Sequence, residues 1–321
     1  MAEKIKILAI GGSTASGKSA LAMEFADRHN GEIVSCDSMQ VYRKMNIGTA
    51  KPTEADMARV RHHMIDVVDP DQPFSCADYI RLAAKAIEDV ASRGRLPIIC
   101  GGTGLYLDAL LRGSDFSEDS DPDLELRREL LDFAEKNGNE ALHAELQKID
   151  PESAAAIHPN NVKRVARAIE IYRTSGKTKT ELDRLSRLAP QKYDATVIAL
   201  RYNDRELLRT RIDKRVDMMI EEGLERETRE LLELGIFEKN ATAAQAIGYK
   251  EFIGYFKGES TFLECTDLLK IATRKYAKRQ MTWFGGKDYV RFIDADQNGA
   301  LKSFEEIVNS AESIFFDRDL G

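Results

Sequence analysis

Apolar residues along this chain fall into two rhythms. Residues 5–10 (Ile-Lys-Ile-Leu-Ala-Ile) form a short apolar run ended by Gly11-Gly12, the mark of a buried strand. A helix is expected from about Lys18, with Leu21, Ala22 and Phe25 on its inner face. Glu32–Ser35 reads as a second strand and Met64–Val68 as a third. Ser75 is placed as the N-cap of a helix whose apolar positions Ile80, Ala83, Ala84, Ile87 and Val90 keep the three-and-four spacing of one buried face. That helix stops at Gly94, and Leu96–Cys100 is the next strand. Strands alternating with helices predict a parallel sheet covered on both faces.

After Gly113 the rhythm changes. Residues 114–123 are polar and acidic, a predicted boundary, and from there to about Leu188 the pattern is helical with no strand. Thr196–Leu200 resumes the sheet. The expected organisation is therefore a core domain of 1–114 and 196–321, carrying a helical insertion domain at 115–195. Helices are expected at about 204–222, 224–234, 241–256 and 260–282, followed by a strand at Val290–Ile293 and a terminal helix. A length of 321 residues agrees with about two domains, and 43% hydrophobic residues are enough for a sizeable core.

No apolar run approaches the roughly 18 residues of a membrane-spanning helix. The N-terminus runs straight into a strand without a leader pattern, so a soluble, cytoplasmic protein with no membrane partner is expected, acting as a monomer. The cysteines, Cys36, Cys76, Cys100 and Cys265, are far apart and lack metal-site spacing, which points to reduced thiols.

A net charge of −7 argues against a polyanionic partner until its distribution is considered. From Asn161 to Lys192 nine Lys/Arg face three acids, a net of +6. From Leu268 to Lys287 six Lys/Arg face none, again +6, leaving the rest of the chain at −19. Two basic islands on an acidic body suit a localised polyanion site, or solvated helix faces.

The chemistry starts at Gly12-Ser13-Thr14-Ala15-Ser16-Gly17-Lys18-Ser19, which fits the G-x-x-x-x-G-K-[ST] phosphate loop between a strand and a helix. Backbone amides would converge on phosphate oxygens, and the helix start adds roughly half a positive charge. Lys18 supplies a full charge and the Ser19 hydroxyl a Mg²⁺ ligand. A nucleotide-hydrolysing enzyme would carry an Asp after the Leu96–Cys100 strand, but this one runs into Gly101-Gly102-Thr103-Gly104. That end is either a second place of ligand approach, with Thr103 offering a hydroxyl, or a tight turn. The carboxylate appears instead as Asp37, after the second strand. Asp37 could bind Mg²⁺ through water, act as general base, or cap the segment that follows.

Six blocks now stand in order. They are the phosphate loop, Asp37-Ser-Met-Gln-Val-Tyr42, Gly48-Thr-Ala-Lys-Pro52, Gly101-Gly-Thr-Gly-Leu-Tyr106, Ala246-Ile-Gly-Tyr-Lys-Glu251 and Thr273-Arg-Lys-Tyr-Ala-Lys-Arg-Gln-Met-Thr-Trp-Phe284. Together they resemble the tRNA dimethylallyltransferase (tRNA isopentenyltransferase) family, bacterial type. The resemblance implies an α/β, P-loop-kinase-like parallel sheet flanked by helices, with a helical insertion that grips tRNA. It implies that dimethylallyl diphosphate sits on the phosphate loop, Gly12 to Ser19, with Mg²⁺. The prenyl group would pass to N6 of the adenosine just 3′ of the anticodon, in the anticodon stem-loop of tRNAs reading codons that begin with U.

By carry-over, Asp37 is the general base and Thr103 lies by the transferring carbon. Asp37, Ser38, Met39 and Gln40 meet the target base. Lys163, Arg164, Val165, Ala166 and Arg167, with Gln245, Ala246, Ile247, Gly248, Tyr249 and Lys250, contact tRNA. One of Arg211 and Arg215, with Arg215 favoured, clamps the diphosphate. Trp283, in the second island, would stack on a flipped base or belong to a core stripe. Two positions depart from the family pattern: Ser13 stands where proline is common, and Gly285-Gly286 where an arginine is. The rival readings are a P-loop kinase of a small molecule or nucleoside, a prenyltransferase acting on free AMP or ADP, and a nucleotide-switched RNA-binding protein.

Overall fold

The computed structural model describes residues 4–112, 123–188, 191–240 and 242–317; most of the acidic boundary at 114–123 lies outside them. The chain divides into two compact units, Met1–Asp108 with Tyr193–Gly321, and Ala109–Lys192. These limits replace the expected 115–195. Helix α4 (Gly104–Arg112) runs through the first boundary, and Tyr193 already belongs with the strand that opens at Asp194.

The first unit is built on strands β1 (Lys6–Gly12), β2 (Gly31–Ser35), β3 (His62–His63), β4 (Leu96–Cys100), β5 (Asp194–Arg201) and β6 (Val290–Asp294), in the order β3-β2-β4-β1-β5-β6. Every pairing is parallel, with Ile10 opposite Cys100 and Gly12 opposite Leu200. The sheet is buried on both faces, which is why β1 and β4 read as nearly continuous apolar runs rather than alternating ones. A short antiparallel pair, β7 (Asp296–Gln297) and β8 (Ala300–Leu301), follows.

Helices α1 (Lys18–Arg28) and α15 (Phe304–Phe316) cover one region of the sheet, with Leu21, Phe25, Val308 and Phe315 in a common core. The remaining helices of the unit are α2 (Glu54–Arg59), α3 (Cys76–Ser92), α10 (Arg205–Glu222), α11 (Leu224–Glu233), α12 (Ile236–Lys239), α13 (Ile253–Phe256) and α14 (Phe262–Gly285). Ser75 caps α3 as expected, in a reciprocal capping box with Asp78. A second core joins Val41, Tyr42 and Met45 to Val216, Leu224, Tyr249 and Phe252, and so holds the segment after β2 against α10 and α11.

Two expectations fail here. The third strand is His62–His63, not Met64–Val68: Met64 (φ 63°) and Asp66 (φ 53°) are left-handed and cannot extend a strand. The single helix over 241–256 is broken into a 3₁₀ turn at Ala243–Gln245, Gly248 at φ 109°, a second 3₁₀ turn at Lys250–Phe252, and α13.

The second unit holds α5 (Leu124–Asn137), α6 (Asn139–Ile149), α7 (Pro151–Ala156), α8 (Val162–Ser175) and α9 (Lys179–Leu188) around a core that includes Leu130, Leu142, Leu146, Val165 and Ile169. Asp150 is buried and satisfied: it caps α7 through the Ser153 amide (3.0 Å) and accepts from the Thr180 hydroxyl (2.6 Å) and amide (3.0 Å).

Candidate active site

Because every strand of the sheet runs the same way, β1, β2, β4 and β5 end on one edge, the edge where ligands bind in open α/β sheets. The phosphate loop leaves β1 there. Gly17 (φ 98°) takes a left-handed turn that a side chain would strain, and α1 starts immediately after it. The loop is held from far along the chain. The Thr14 amide donates to Gln280 Oε1 (2.8 Å), Arg211 Nε donates to the Ala15 carbonyl (2.9 Å), and the Tyr202 hydroxyl donates to the Ser16 carbonyl (3.3 Å). Lys18 Nζ folds back to the Ser13 carbonyl (3.2 Å). The Ser13 and Ser16 hydroxyls are buried without a hydrogen-bond partner among the described residues, so the loop keeps donors in reserve.

Beside the loop opens a cavity of about 570 Å³ whose lining includes Thr14, Lys18, Ser19, Asp37, Gln40, Arg215 and Tyr276. A second cavity of about 300 Å³ shares Lys18, Ser19 and Arg215 with it and adds Arg211, Lys214 and Met218. Arg215 makes no hydrogen bond or salt bridge among the described residues, whereas Arg211 is committed to the loop carbonyl. Burial and the nearby Arg215 charge lower the Lys18 pKa from its ordinary value, and burial lowers that of Arg215. Two cations crowd one pocket, and among the described residues neither is salt-bridged, an arrangement suited to a polyanion that enters from outside.

Asp37 follows β2. Its Oδ1 accepts the Met39 (2.8 Å) and Gln40 (3.4 Å) amides, so it does cap its own segment, yet it lines the cavity and its Oδ2 carries no hydrogen bond among the described residues. Ser38, Met39 and Gln40 line the same space. Thr103 does not line it. Its Oγ1 accepts the Ser38 amide (3.0 Å), fastening the start of α4 to the Asp37 segment.

The glycines after β4 serve packing. Cβ atoms at Gly101, Gly102 and Gly104 would overlap Cys36, Gln280 and Trp283 respectively, and Gln280 Nε2 donates to the Gly102 carbonyl (3.1 Å). Trp283 is thus packed on Gly104 with Lys287 Nζ 4.7 Å from its ring centroid, and the aromatic residue facing the cavity is Tyr276. Cys100 also lines the cavity, but burial pushes its thiol up to about 11, so it stays protonated.

The expected tRNA-contacting stretches divide by burial. Lys163 and Arg164 are exposed on α8, and Arg167 is half-buried against the fully buried Glu170 (2.5 Å), which Arg127 also holds (2.8 Å). Val165 and Ala166 are wholly buried in the helical core and present no surface for RNA, a correction to the sequence reading. Gln245, Ile247 and Lys250 line the cavity; Ala246 lines it from the core, and Gly248 and Tyr249 are buried, so their part is to shape the wall. In the second basic island Lys270, Arg274 and Lys287 are paired with Asp217, Asp213 and Asp108. Lys275, Lys278 and Arg279 remain for an external anion, with Arg279 on the cavity.

For a divalent cation the described residues contain no cluster of three or more His, Cys, Asp or Glu side chains. The cavity does offer the Ser19 hydroxyl and the Asp37 carboxylate. That sparse, all-oxygen set fits Mg²⁺, which keeps waters and takes phosphate oxygens rather than a full protein cage. Among the described residues no helix is long and apolar enough to cross a membrane.

Fold and site together define a P-loop protein whose cavity carries both cations and a carboxylate. Residues 40–287 match the family model described as IPP transferase. The chain is 47% identical to the tRNA dimethylallyltransferase of Acetivibrio thermocellus over 95% of each, and 46% identical to that of Halalkalibacterium halodurans over 95% of this chain and 96% of the relative. It resembles the crystal structure of the tRNA isopentenylpyrophosphate transferase from Bacillus halodurans, with a TM-score of 0.71, 42% identity and 99% of both chains covered. A eukaryotic dimethylallyltransferase solved acting on tRNA superposes with a TM-score of 0.82 at 31% identity, over 98% of this chain and 79% of that one. The chain belongs to the IPP transferase family.

Proposed function

We propose that this chain transfers a dimethylallyl group from dimethylallyl diphosphate to N6 of the adenosine immediately 3′ of the anticodon, in tRNAs reading codons that begin with U. The observation that carries the reading is the grouping of two cations without a salt bridge among the described residues, Lys18 and Arg215, with the Asp37 carboxylate around one cavity, in a chain so similar to named tRNA dimethylallyltransferases.

Lys18, Arg215 and the loop amides hold the diphosphate, and the apolar wall of Val216, Met219 and Leu269 suits the prenyl chain. The allylic carbon–oxygen bond breaks as the adenine nitrogen forms its bond to that carbon. The diphosphate departs with the bonding electron pair, stabilised by the cations that held it. Asp37 takes the proton released from the amine. Ser19 and Asp37 would hold Mg²⁺, which when bound supplies further charge against the leaving diphosphate. Lys163 and Arg164, exposed in the first turn of α8, suit RNA phosphates, which position a substrate without reading its sequence.

A kinase would share the phosphate loop, but β4 ends in packing glycines instead of a carboxylate, and the basic stretch from Asn161 to Lys192 has no use in it. Incubation with labelled dimethylallyl diphosphate and an anticodon stem-loop RNA tests the reading. Label is expected on the RNA only when the adenosine is present. Labelled phosphate transfer from ATP, or no transfer to RNA at all, overturns it.

A further inference from the structure

One wall of the main cavity is a loop, residues 44–51, without helix or strand of its own. Lys44 (φ 64°) and Ala50 (φ 48°) are left-handed within it, a conformation that lasts only where the surroundings impose it. Between these two residues the loop is held by Glu227 of α11. This buried carboxylate accepts the amides of Asn46 (3.0 Å), Ile47 (2.9 Å) and Gly48 (3.2 Å) and the Tyr249 hydroxyl (2.7 Å), and forms no salt bridge among the described residues. The Tyr249 ring lies against Gly48, where a Cβ would overlap it. On the far side Lys51 Nζ closes the loop onto the Tyr42 carbonyl (2.6 Å) and Asp66 (2.5 Å).

The next two carbonyls of the loop, Thr49 and Ala50, both accept from Gln40 Nε2, at 3.2 and 3.1 Å. Gln40 Oε1 accepts the Ser35 hydroxyl (2.8 Å). The amide can therefore face only one way. Both hydrogens of its nitrogen are used, and the oxygen retains a second lone pair on a side chain that lines the cavity.

We propose that Glu227 is a positioning residue for selection of the acceptor base: by clamping the 46–48 amides it sets the Thr49 and Ala50 carbonyls, which leave Gln40 nothing but a hydrogen-bond acceptor to present. The inference rests on the function proposed above and adds a basis for base choice. An exocyclic amine can give one hydrogen to Asp37 and the other to Gln40, whereas a purine with a carbonyl in that position meets oxygen with oxygen, and the unpaired polar contact is penalised.

The test compares binding of two anticodon stem-loop RNAs that carry adenosine or inosine at the target position. Wild-type protein is expected to prefer adenosine by about tenfold, the scale of one discriminating hydrogen bond. Glu227→Gln, which sets an NH₂ among backbone donors, is expected to bring the ratio to within about threefold while dimethylallyl diphosphate binding is unchanged. Gln40→Ala should collapse the ratio equally, and Glu227→Gln added to Gln40→Ala should change it no further. A Glu227→Gln protein that binds both RNAs more weakly but keeps the ratio overturns the proposal, as does an additive double variant. Should Glu227→Gln not fold, Tyr249→Phe keeps the ring on Gly48, removes only the hydroxyl's bond, and is read in the same cycle. Wild-type protein that prenylates the adenosine RNA yet binds both alike overturns the positioning role alone. Failure to prenylate it at all overturns the function beneath it.

Discussion

Lys18 and Arg215 line the same two cavities, and among the described residues neither has a carboxylate within salt-bridge distance. Each is buried enough for its charge to be costly, and the proximity of Arg215 adds to the cost at Lys18. A bound diphosphate would offset that repulsion.

Replacing Lys18 by Ala is expected to weaken dimethylallyl diphosphate binding at least tenfold, about 1.4 kcal/mol, with little change in RNA affinity. The pH dependence has a definite sign. The Lys18 pKa lies below its ordinary 10.5 without ligand, and a bound diphosphate raises it. Affinity therefore falls as pH rises through the lowered value, with protons taken up on binding in that range. Calorimetry in buffers of different ionisation enthalpy measures this uptake, and Lys18→Ala should abolish it.

Asp37→Asn keeps the Oδ1 acceptor that caps Met39 and Gln40, so the segment should keep its shape. It cannot accept a proton. Single-turnover prenyl transfer is expected to fall at least a hundredfold, within the range of general-base effects, with dissociation constants for donor and RNA moving only a few-fold. If the carboxylate serves mainly through Mg²⁺, donor binding weakens as well and extra Mg²⁺ restores part of it.

Lys163 and Arg164 are exposed cations in the first turn of α8, whereas Arg167 also neutralises Glu170. Replacing the first two by Ala should flatten the log–log dependence of RNA affinity on salt by about 1.4 units, at roughly 0.7 per phosphate lost. Replacing Arg167 as well should lower the thermal stability of the helical unit. An unchanged salt slope would assign Lys163 and Arg164 to ordinary solvated surface.

Stability should show an acid limb centred on Glu32. This carboxylate in β2 is 2% exposed, and hydrogen bonds from Arg93 (2.7 Å) and His63 (2.7 Å) draw its pKa from 4.5 down to about 2. A depressed carboxyl stabilises the fold above its unfolded pKa, and the contribution is lost as pH falls from 4.5 toward 2. Its size is of order 3 kcal/mol. Urea unfolding at stepped pH should show the loss, and Arg93→Ala should shrink it.

Where chemistry depends on local order, the sequence was legible. The Gly12–Ser19 motif, the Ser75 cap and the apolar strands are each written in contiguous residues, and Asp37 follows a readable strand. What escaped depends on residues far apart. Nothing in Met64–Val68 announces left-handed turns at Met64 and Asp66, since those follow from what the loop is tied to, such as the Lys51–Asp66 contact. The Gly101–Gly104 run reads equally as a ligand approach or a tight turn, and in the fold its missing side chains make room for Gln280 and Trp283. Half the cations of the second island were spent on acids of α4 and α10 that no count along the chain could pair. Nothing in the order of residues along α11 separates Glu227 from its other acids.

The phosphate loop is complete in sequence by residue 19, yet its scaffold is not. Thr14 is held by Gln280 across 266 positions, Ala15 by Arg211 across 196 and Ser16 by Tyr202 across 186. A ribosome that has made the first half of this chain has made the loop's residues without their supports, and β1 still lacks β5 as a neighbour. Contacts so distant along the chain form late and slow folding. Capture of the prenyl donor should accordingly report completed synthesis: nascent chains released before Gln280 is added would not retain the diphosphate, and those released after it would.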